Sequence, residues 1–364
     1  MPLIWAAISA HGFGHAAQVV PVLNALGRLV PDLRVFLRTT VPASFFGSHL
    51  TIPWEISAVQ QDIGCVQKGP LTIDIEATWL EHERFHATWE ERIQADVAAM
   101  GAARPDAILA DTPYLAVAAG AQAAIPTVAL VSLTWDFILS DYPAPPHIDR
   151  QFLIGSIRQA YARADLALRM TPAPKMEHFR RLIDIGPIAE PAASARDQLR
   201  SVLGLAPGER TVLVGFGGIP LTSLPFAELE PLAGYRFLID GPTPPESTRF
   251  GSIQSLPFSF KTLLASVDIV MTKPGYGTLV EAVALQRPIV YVRRFNFADE
   301  PSLVSYLHQY GRGVPLSLKD FTEGRWEAAL KQVMSLHRPA TPPPPITGAE
   351  EAATHLGKLL QHSV

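Results

Sequence analysis

The chain has 364 residues, of which 48% are hydrophobic and 18% are charged. This length exceeds what one hydrophobic core usually organises, so we expect two folded domains, and the composition excludes disorder over most of the chain. The 30 Lys and Arg against 34 Asp and Glu give a formal net charge of −4, which provides no general affinity for nucleic acid. The single cysteine, Cys65, cannot form an internal disulfide and favours a reducing cytoplasm.

Two apolar segments invite comparison with export or membrane signals. Residues 1–15 lack the basic region that precedes the apolar run of a signal peptide. Residues 112–135 carry no charge, but internal Pro and Gly residues divide them into an Ala-rich helix and a short strand. We therefore predict a cytoplasmic protein with no transmembrane segment, and peripheral association with a membrane stays open.

Strands and helices alternate through the first half of the chain. We predict strands at 3–9, 34–39, 106–110, 127–131 and 166–170, and helices at 15–29, 77–100, 114–124 and 150–163. Several of the strands are wholly apolar, which is typical of a parallel sheet that helices cover on both faces.

The same alternation restarts after a linker at 186–193. We predict strands at 211–215, 236–239, 269–271 and 289–292, and helices at 195–203, 278–285, 301–310 and 321–336. Residues 338–347 hold five prolines, which form a stiff extended spacer, and a last helix follows at 348–361. The sequence therefore predicts an α/β protein with two doubly wound, Rossmann-like domains, 1–186 and 187–337, and a proline-rich strap with a terminal helix, 338–364.

A glycine-rich turn with two histidines lies between the first strand and the first helix. Ligands of parallel sheets bind at this edge, so His11 and His15 are candidate functional residues. The positive end of the helix dipole disfavours imidazolium, which predicts a neutral His15 that is available as a base. Asp111 follows another strand of the same sheet. It could orient His15 as in a catalytic dyad, or it could cap the next helix.

Two other motifs suggest different chemistry. The spacing Gly12-x-Gly14-x-x-Ala17 loosely matches a dinucleotide fingerprint, with Arg38 as a candidate for the 2′-phosphate of NADP, although the second strand ends without a carboxylate. Residues 82–86, HERFH, form a literal H-E-x-x-H on a predicted helix, but a zinc hydrolase needs a third ligand. A solvated helix face or a wall of an acceptor site is the favoured interpretation, and we predict no metal site.

The second half contains two turns suited to anions. Residues 215–218 follow one strand, and their glycines allow close approach of the backbone to a ligand. Residues 273–278 follow another strand and open a helix, whose free N–H groups and dipole would hold a diphosphate. Glu281, one turn further, could accept hydrogen bonds from ribose hydroxyls, and Asp299 and Glu300 could reach the same crevice.

These segments resemble those of GT-B glycosyltransferases. The similarity is to the glycosyltransferase-like N-terminal region of L-arabinokinases and, more distantly, to the peptidoglycan N-acetylglucosaminyltransferases. The matching pieces span most of residues 3–312 and are SAHGFGH, RPDAILAD, IPTVALVSLTWDF, KPGYGTLVEA, RPIVYV and the DEPSL segment. Two positions depart from the pattern: Tyr276 stands where many relatives have glycine, and Glu300 stands where plant-type enzymes carry glutamine.

The resemblance implies two nucleotide-binding-type domains across a cleft, with the last helix crossing back onto the first domain. His15 would be the catalytic base and Asp111 its partner, with candidates on the acceptor side at His11, Phe13 and Trp135. The candidate donor-binding residues are Gly217, Gly218, Lys273, Gly275, Gly277, Thr278, Glu281, Asp299 and Glu300.

The expected reaction is inverting, metal-independent transfer of a sugar from a nucleotide diphosphate sugar to an acceptor hydroxyl. A UDP-type donor is favoured as co-substrate, and no further cofactor is expected. A sugar-nucleotide epimerase of the same fold and a non-catalytic nucleotide-sugar-binding protein are the alternatives.

Overall fold

The structure is a computed structural model that describes residues 1–217, 224–294 and 296–361. Within these residues the strands form two parallel sheets. The first has the order β3-β2-β1-β4-β5-β6-β7. Its strands are β1 (Leu3–Ile8), β2 (Arg34–Arg38), β3 (Trp54–Ser57), β4 (Ala107–Asp111), β5 (Thr127–Val131), β6 (Leu166–Met170) and β7 (Leu182–Ile185).

Helices cover both faces of this first sheet. They are α1 (Gly14–Leu29), α2 (Ala43–His49), α3 (Ile75–Ala87), α4 (Trp89–Ala103), α5 (Tyr114–Gln122), α6 (Trp135–Ser140) and α7 (Arg150–Tyr161). Every residue of β4 and β5 is buried, as expected for apolar strands in the middle of a doubly covered sheet.

The second sheet has the order β10-β9-β8-β11-β12-β13. Its strands are β8 (Arg210–Val214), β9 (Tyr235–Ile239), β10 (Phe250–Ser252), β11 (Ile269–Thr272), β12 (Ile289–Val292) and β13 (Gly313–Leu316). The remaining helices are α8 (Arg196–Val202), α9 (Phe226–Leu229), α10 (Phe260–Ser266), α11 (Tyr276–Ala284), α12 (Glu300–Tyr310), α13 (Leu318–Thr322), α14 (Glu327–Ser335) and α15 (Gly348–Gln361).

Two helices that the sequence predicts as continuous are each broken. The segment 77–100 divides at Thr88, whose φ of −117° and ψ of 28° lie outside the helical region. The segment 321–336 divides near Gly324, whose φ is +70°. This left-handed conformation suits glycine and ends a helix.

The last helix, α15, packs against α1 beside the first sheet. Its buried face carries Ala352, Ala353, Leu356 and Leu360. Glu351 accepts a hydrogen bond from the backbone N–H of Gly186 at 3.3 Å, just after β7. The proline-rich segment therefore leads the chain from the second sheet back to the first. No helix in the described ranges is both long and apolar enough to cross a membrane.

Candidate active site

The β1–α1 turn lies at the carboxyl edge of the first sheet. Gly12 has a φ of +82°, which is a conformation that favours glycine, and α1 begins two residues later. His15 is therefore in the first turn of α1, where its side chain is buried.

His15 is hydrogen-bonded to Asp111. The distance from His15 Nδ1 to Asp111 Oδ1 is 3.2 Å, and both side chains are buried. Asp111 ends β4, which pairs with β1 in parallel, so the sheet register brings the two residues together. The Thr112 hydroxyl donates to the same carboxylate oxygen at 3.2 Å. Asp111 does not cap α5, because Pro113 is the N-cap residue and no side chain caps that helix.

The charges around His15 reverse the expectation drawn from the helix dipole. Burial by itself lowers the pKa of the imidazole, but the charge and hydrogen bond of Asp111, with Asp62 and Asp299 nearby, raise it above its usual value. Burial raises the pKa of Asp111, which the proximity of His15 partly offsets. The pair is therefore arranged to hold a proton more readily than a free imidazole does.

His11 has a different environment from His15. Its Nδ1 accepts the backbone N–H of Cys65 at 3.3 Å, and its Nε2 lies 2.6 Å from the side-chain amide of Gln67. Desolvation and the neighbouring cations His15, Lys273 and Arg294 lower the pKa of His11 to about 3. A neutral His11 thus anchors the segment between β3 and α3.

That segment approaches His11 closely. Gly64 has a φ of +70°, and a Cβ atom there would lie 2.7 Å from His11 Nδ1, so only glycine fits. A cavity of about 300 Å³ lies between the segment and the β1–α1 turn. Its lining includes His11, Gly12, Gln61, Asp62 and Gln67.

Sequence reasoning missed Asp62. It accepts hydrogen bonds from Ser9 Oγ at 3.1 Å and from Trp135 Nε1 at 2.7 Å, and burial raises its pKa to about 6. The residue lies in a segment without helical or strand periodicity, so no signal in the sequence tied it to His15.

The two aromatic candidates on the acceptor side differ in exposure. Trp135 is fully buried and donates to Asp62, whereas Phe13 is 43% exposed and stacks on Phe45.

The β11–α11 turn of the second sheet provides an anion-binding geometry. Gly275 is the N-cap of α11, and the N–H groups of the first helical turn, including those of Gly277 and Thr278, have no partners within the helix. A Cβ atom added at Gly277 would meet nothing within 4 Å, so the backbone is open to a ligand. Gly217 faces this turn, since a Cβ there would lie 3.6 Å from Lys273 Cε. Gly218 lies outside the described residues.

Lys273, in this turn, and Asp299, at the N-terminus of α12, are both buried, and their charges interact. Burial, with the charge of Arg294, lowers the pKa of Lys273 to about 7, although Asp299 opposes the shift. Burial raises the pKa of Asp299, whose Oδ1 has no hydrogen-bond partner among the described residues. A buried cation and a buried carboxylate oxygen without a partner, close to an anion-binding turn, are suited to a polar ligand.

The two glutamates among the candidate donor-binding residues, Glu281 and Glu300, differ in their hydrogen bonding. Glu281 Oε1 is buried without a partner among the described residues, and burial raises its pKa to about 7. Glu300 is engaged by its neighbours: it accepts from Arg293 Nε and from the backbone N–H of Arg294, each at 2.8 Å. In this arrangement the Glu300 carboxylate holds the β12–α12 loop.

Tyr276 connects the two sheets. Its hydroxyl donates to the carbonyl of Thr171 at 2.9 Å and accepts the N–H of Ile188 at 3.0 Å. A glycine at this position would lack both bonds. Helices α1 and α11 also contact each other, so the two turns that begin them face one cleft.

The residues of the dinucleotide-like motif and of the H-E-x-x-H motif make contacts within the fold. Arg38 is buried and paired with Asp96, with Nε to Oδ1 at 3.1 Å, so it is not available for a 2′-phosphate.

His82 Nε2 donates to the Gly64 carbonyl at 3.0 Å, while His86 stacks on Trp89 with ring centroids 5.0 Å apart. The expected solvated face is therefore wrong at His82, which is buried. No three His, Cys, Asp or Glu side chains in the described parts of the chain cluster as a metal site.

Comparison with known proteins finds similarity to a curated plant protein. The L-arabinokinase of Arabidopsis thaliana is 29% identical over 337 residues, which are 90% of this chain and 32% of that protein. The chain thus spans about a third of the length of this relative. No protein-family model matches the chain.

Solved structures of similar fold cover nearly the whole chain. CalG4, the calicheamicin glycosyltransferase, has a TM-score of 0.62 at 16% identity, over 99% of this chain and 94% of its own. The glycotransferase of kitacinnamycin has a TM-score of 0.63 at 15% identity, over 100% and 96%. Medicago truncatula UGT71G1, complexed with UDP-glucose, has a TM-score of 0.61 at 13% identity, over 100% and 94%. The chain therefore has the GT-B fold of these glycosyltransferases, with two parallel α/β sheets.

Proposed function

We propose that the protein transfers a sugar from a nucleotide diphosphate sugar to an acceptor hydroxyl, by an inverting and metal-independent mechanism. The observation that carries this proposal is the buried His15–Asp111 pair, at 3.2 Å, in a cleft that the β11–α11 turn also borders. The relatives of similar fold support transfer over epimerisation, because their names describe glycosyltransferases. One of them is complexed with UDP-glucose, which favours a UDP-type donor.

His15 would act as the general base. Since Nδ1 is held by Asp111, Nε2 is the nitrogen left to accept the proton of the acceptor hydroxyl. The acceptor oxygen then attacks the anomeric carbon, and the bond from that carbon to the diphosphate oxygen breaks with its electron pair going to the diphosphate. Asp111 stabilises the imidazolium that forms, without itself taking the proton.

The second sheet would bind the donor and stabilise the leaving group. The N–H groups that begin α11 and the positive end of its dipole face the developing charge of the diphosphate. Lys273 supplies a cation beside them, and Glu281 accepts from the ribose hydroxyls through its unshared oxygen. Asp299, with one unshared buried oxygen, is a candidate contact for the donor sugar.

The test combines a donor panel with an acceptor panel. UDP, GDP and dTDP sugars are incubated with the protein and hydroxyl acceptors, and nucleotide release and glycoside are quantified by chromatography. The anomeric configuration of the product is read by NMR. We expect a glycoside of inverted configuration, an unchanged rate after addition of EDTA, and loss of activity in His15→Ala.

Controls separate the alternatives. An isomerised sugar nucleotide formed from donor alone would indicate an epimerase, and saturable nucleotide binding without turnover for any acceptor would indicate a binding protein. Asp268→Asn is a matched carboxylate control, because Asp268 pairs with Arg196 and Thr211 at the opposite edge of the second sheet.

We also propose a cytoplasmic location for the protein.

A further inference from the structure

The cavity beside the β1–α1 turn carries information about the acceptor. Its volume of about 300 Å³ is at the lower end of the range for small-molecule sites. It is bordered by His11 and Gly12, in the same turn that positions His15. A ligand in this cavity would therefore contact the turn that leads into α1 and the proposed base.

The lining of the cavity is rich in uncharged hydrogen-bonding groups. It includes Thr40 and the amides of Gln60, Gln61 and Gln67. The amide oxygen of Gln61 is buried and has no partner among the described residues, since the amide nitrogen of Gln61 donates to Asp96. Buried polar atoms are nearly always hydrogen-bonded in native proteins, so this oxygen indicates a donor that a ligand supplies.

The charged groups that line the cavity favour a neutral ligand over an anion. Among the described residues, no Lys or Arg lines the cavity, although Lys273 and Arg294 are near His11. The adjacent Arg38 points to Asp96, and His11 is neutral at physiological pH. Asp62 is the one carboxylate among the described lining residues, and its charge would repel a phosphate or a carboxylate.

We propose that this cavity binds a neutral, polyhydroxylated acceptor of about the size of a monosaccharide or a cyclitol. Such a molecule has hydroxyl donors for the amide oxygens and acceptors for the amide N–H groups, and the cavity is too polar for an apolar aromatic acceptor. This inference rests on the proposed function, because it names the substrate class for the same site.

The test measures binding without turnover. Saturation-transfer NMR and calorimetry are run on the whole protein, with and without UDP. The probes are methyl α-D-glucopyranoside and myo-inositol as neutral polyols, 1-naphthol as an apolar phenol, and glucose 6-phosphate as an anion. We expect the polyols to bind more tightly than the other two probes.

Two substitutions in the lining test whether the polyols bind in this cavity. Gln60 and Thr40 line the cavity and are exposed, so Gln60→Leu and Thr40→Val should fold normally. Each loses one neutral hydrogen bond, so we expect a roughly 3- to 10-fold weaker Kd for the polyols. Gln332→Leu makes the same change on the exposed face of α14 and should leave the Kd unchanged.

The outcomes are distinct from those of the transfer assay. Tighter binding of 1-naphthol or glucose 6-phosphate, polyol binding that neither variant weakens, or no binding by any probe overturns the inference. Transfer to a phenol with no polyol binding would overturn it while supporting the glycosyltransferase. Polyol binding that both variants weaken, with no transfer from any donor, would support the cavity's specificity and contradict the proposed function.

Discussion

Replacing Asp111 by Asn should slow the proposed transfer and change its pH dependence. The carboxylate lies 3.2 Å from His15 Nδ1, and both groups are buried, so the bond to the imidazolium is charge-assisted. Such bonds contribute about 1.5–3 kcal/mol. At 1.4 kcal/mol per factor of ten, kcat/KM should fall roughly 10- to 100-fold. His15→Ala removes the base itself and should cost roughly 100- to 10,000-fold.

The pH dependence of kcat/KM distinguishes a role of Asp111 in positioning and charging His15 from a merely structural role. The base must be neutral, so activity falls as the pH drops below the pKa of His15. After burial, which lowers that pKa, Asp111 is the largest influence on it, and the carboxylate raises it. Asp111→Asn should therefore lower the pKa and move the acidic limb of kcat/KM to lower pH.

The assay is steady-state kinetics between about pH 5 and 9 on the best donor and acceptor, with thermal unfolding of each variant as a folding control. Asp268→Asn should keep the wild-type acidic limb. A full rate in His15→Ala, or an Asp111→Asn variant that is slower with an unmoved limb, would refute the reasoning.

Three further predictions concern the second sheet and the strap. Burial lowers the pKa of Lys273 to about 7, so UDP affinity measured by calorimetry should fall as pH rises through 7, and Lys273→Met should bind weakly and lose this fall. Tyr276→Phe leaves the carbonyl of Thr171 without its donor and should lower the free energy of unfolding by about 1–3 kcal/mol in thermal denaturation. Leu356→Ala in α15 should cost about 2–5 kcal/mol in denaturant unfolding, whereas the exposed Leu318→Ala should cost little; equal effects would contradict the strap's packing role.

The sequence by itself was sufficient for the repeating strand–helix order and for most of the long elements. Apolar runs such as those of β4 and β5 are buried on both faces, and hydrophobic pattern reports burial directly. Short edge strands such as β7 and β13 were missed, because a four-residue strand has too little pattern to be distinguished from a loop. The breaks at Thr88 and Gly324 depend on single backbone conformations, which periodicity does not report.

The residues of the candidate site also fall into two groups: those that could be selected from the sequence and those that only the folded structure brings together. His15 and Asp111 could be selected from the sequence, because each follows a strand and parallel strands end at one edge of a sheet. The contribution of Asp62 was decided only by the tertiary structure, since it acts through Ser9 and Trp135, which are distant in sequence. Charge is the clearest case: helix position alone predicted a neutral His15, but three carboxylates brought together by folding raise its pKa. Local sequence carries information about backbone and burial, whereas electrostatics depends on distances that only the folded chain sets.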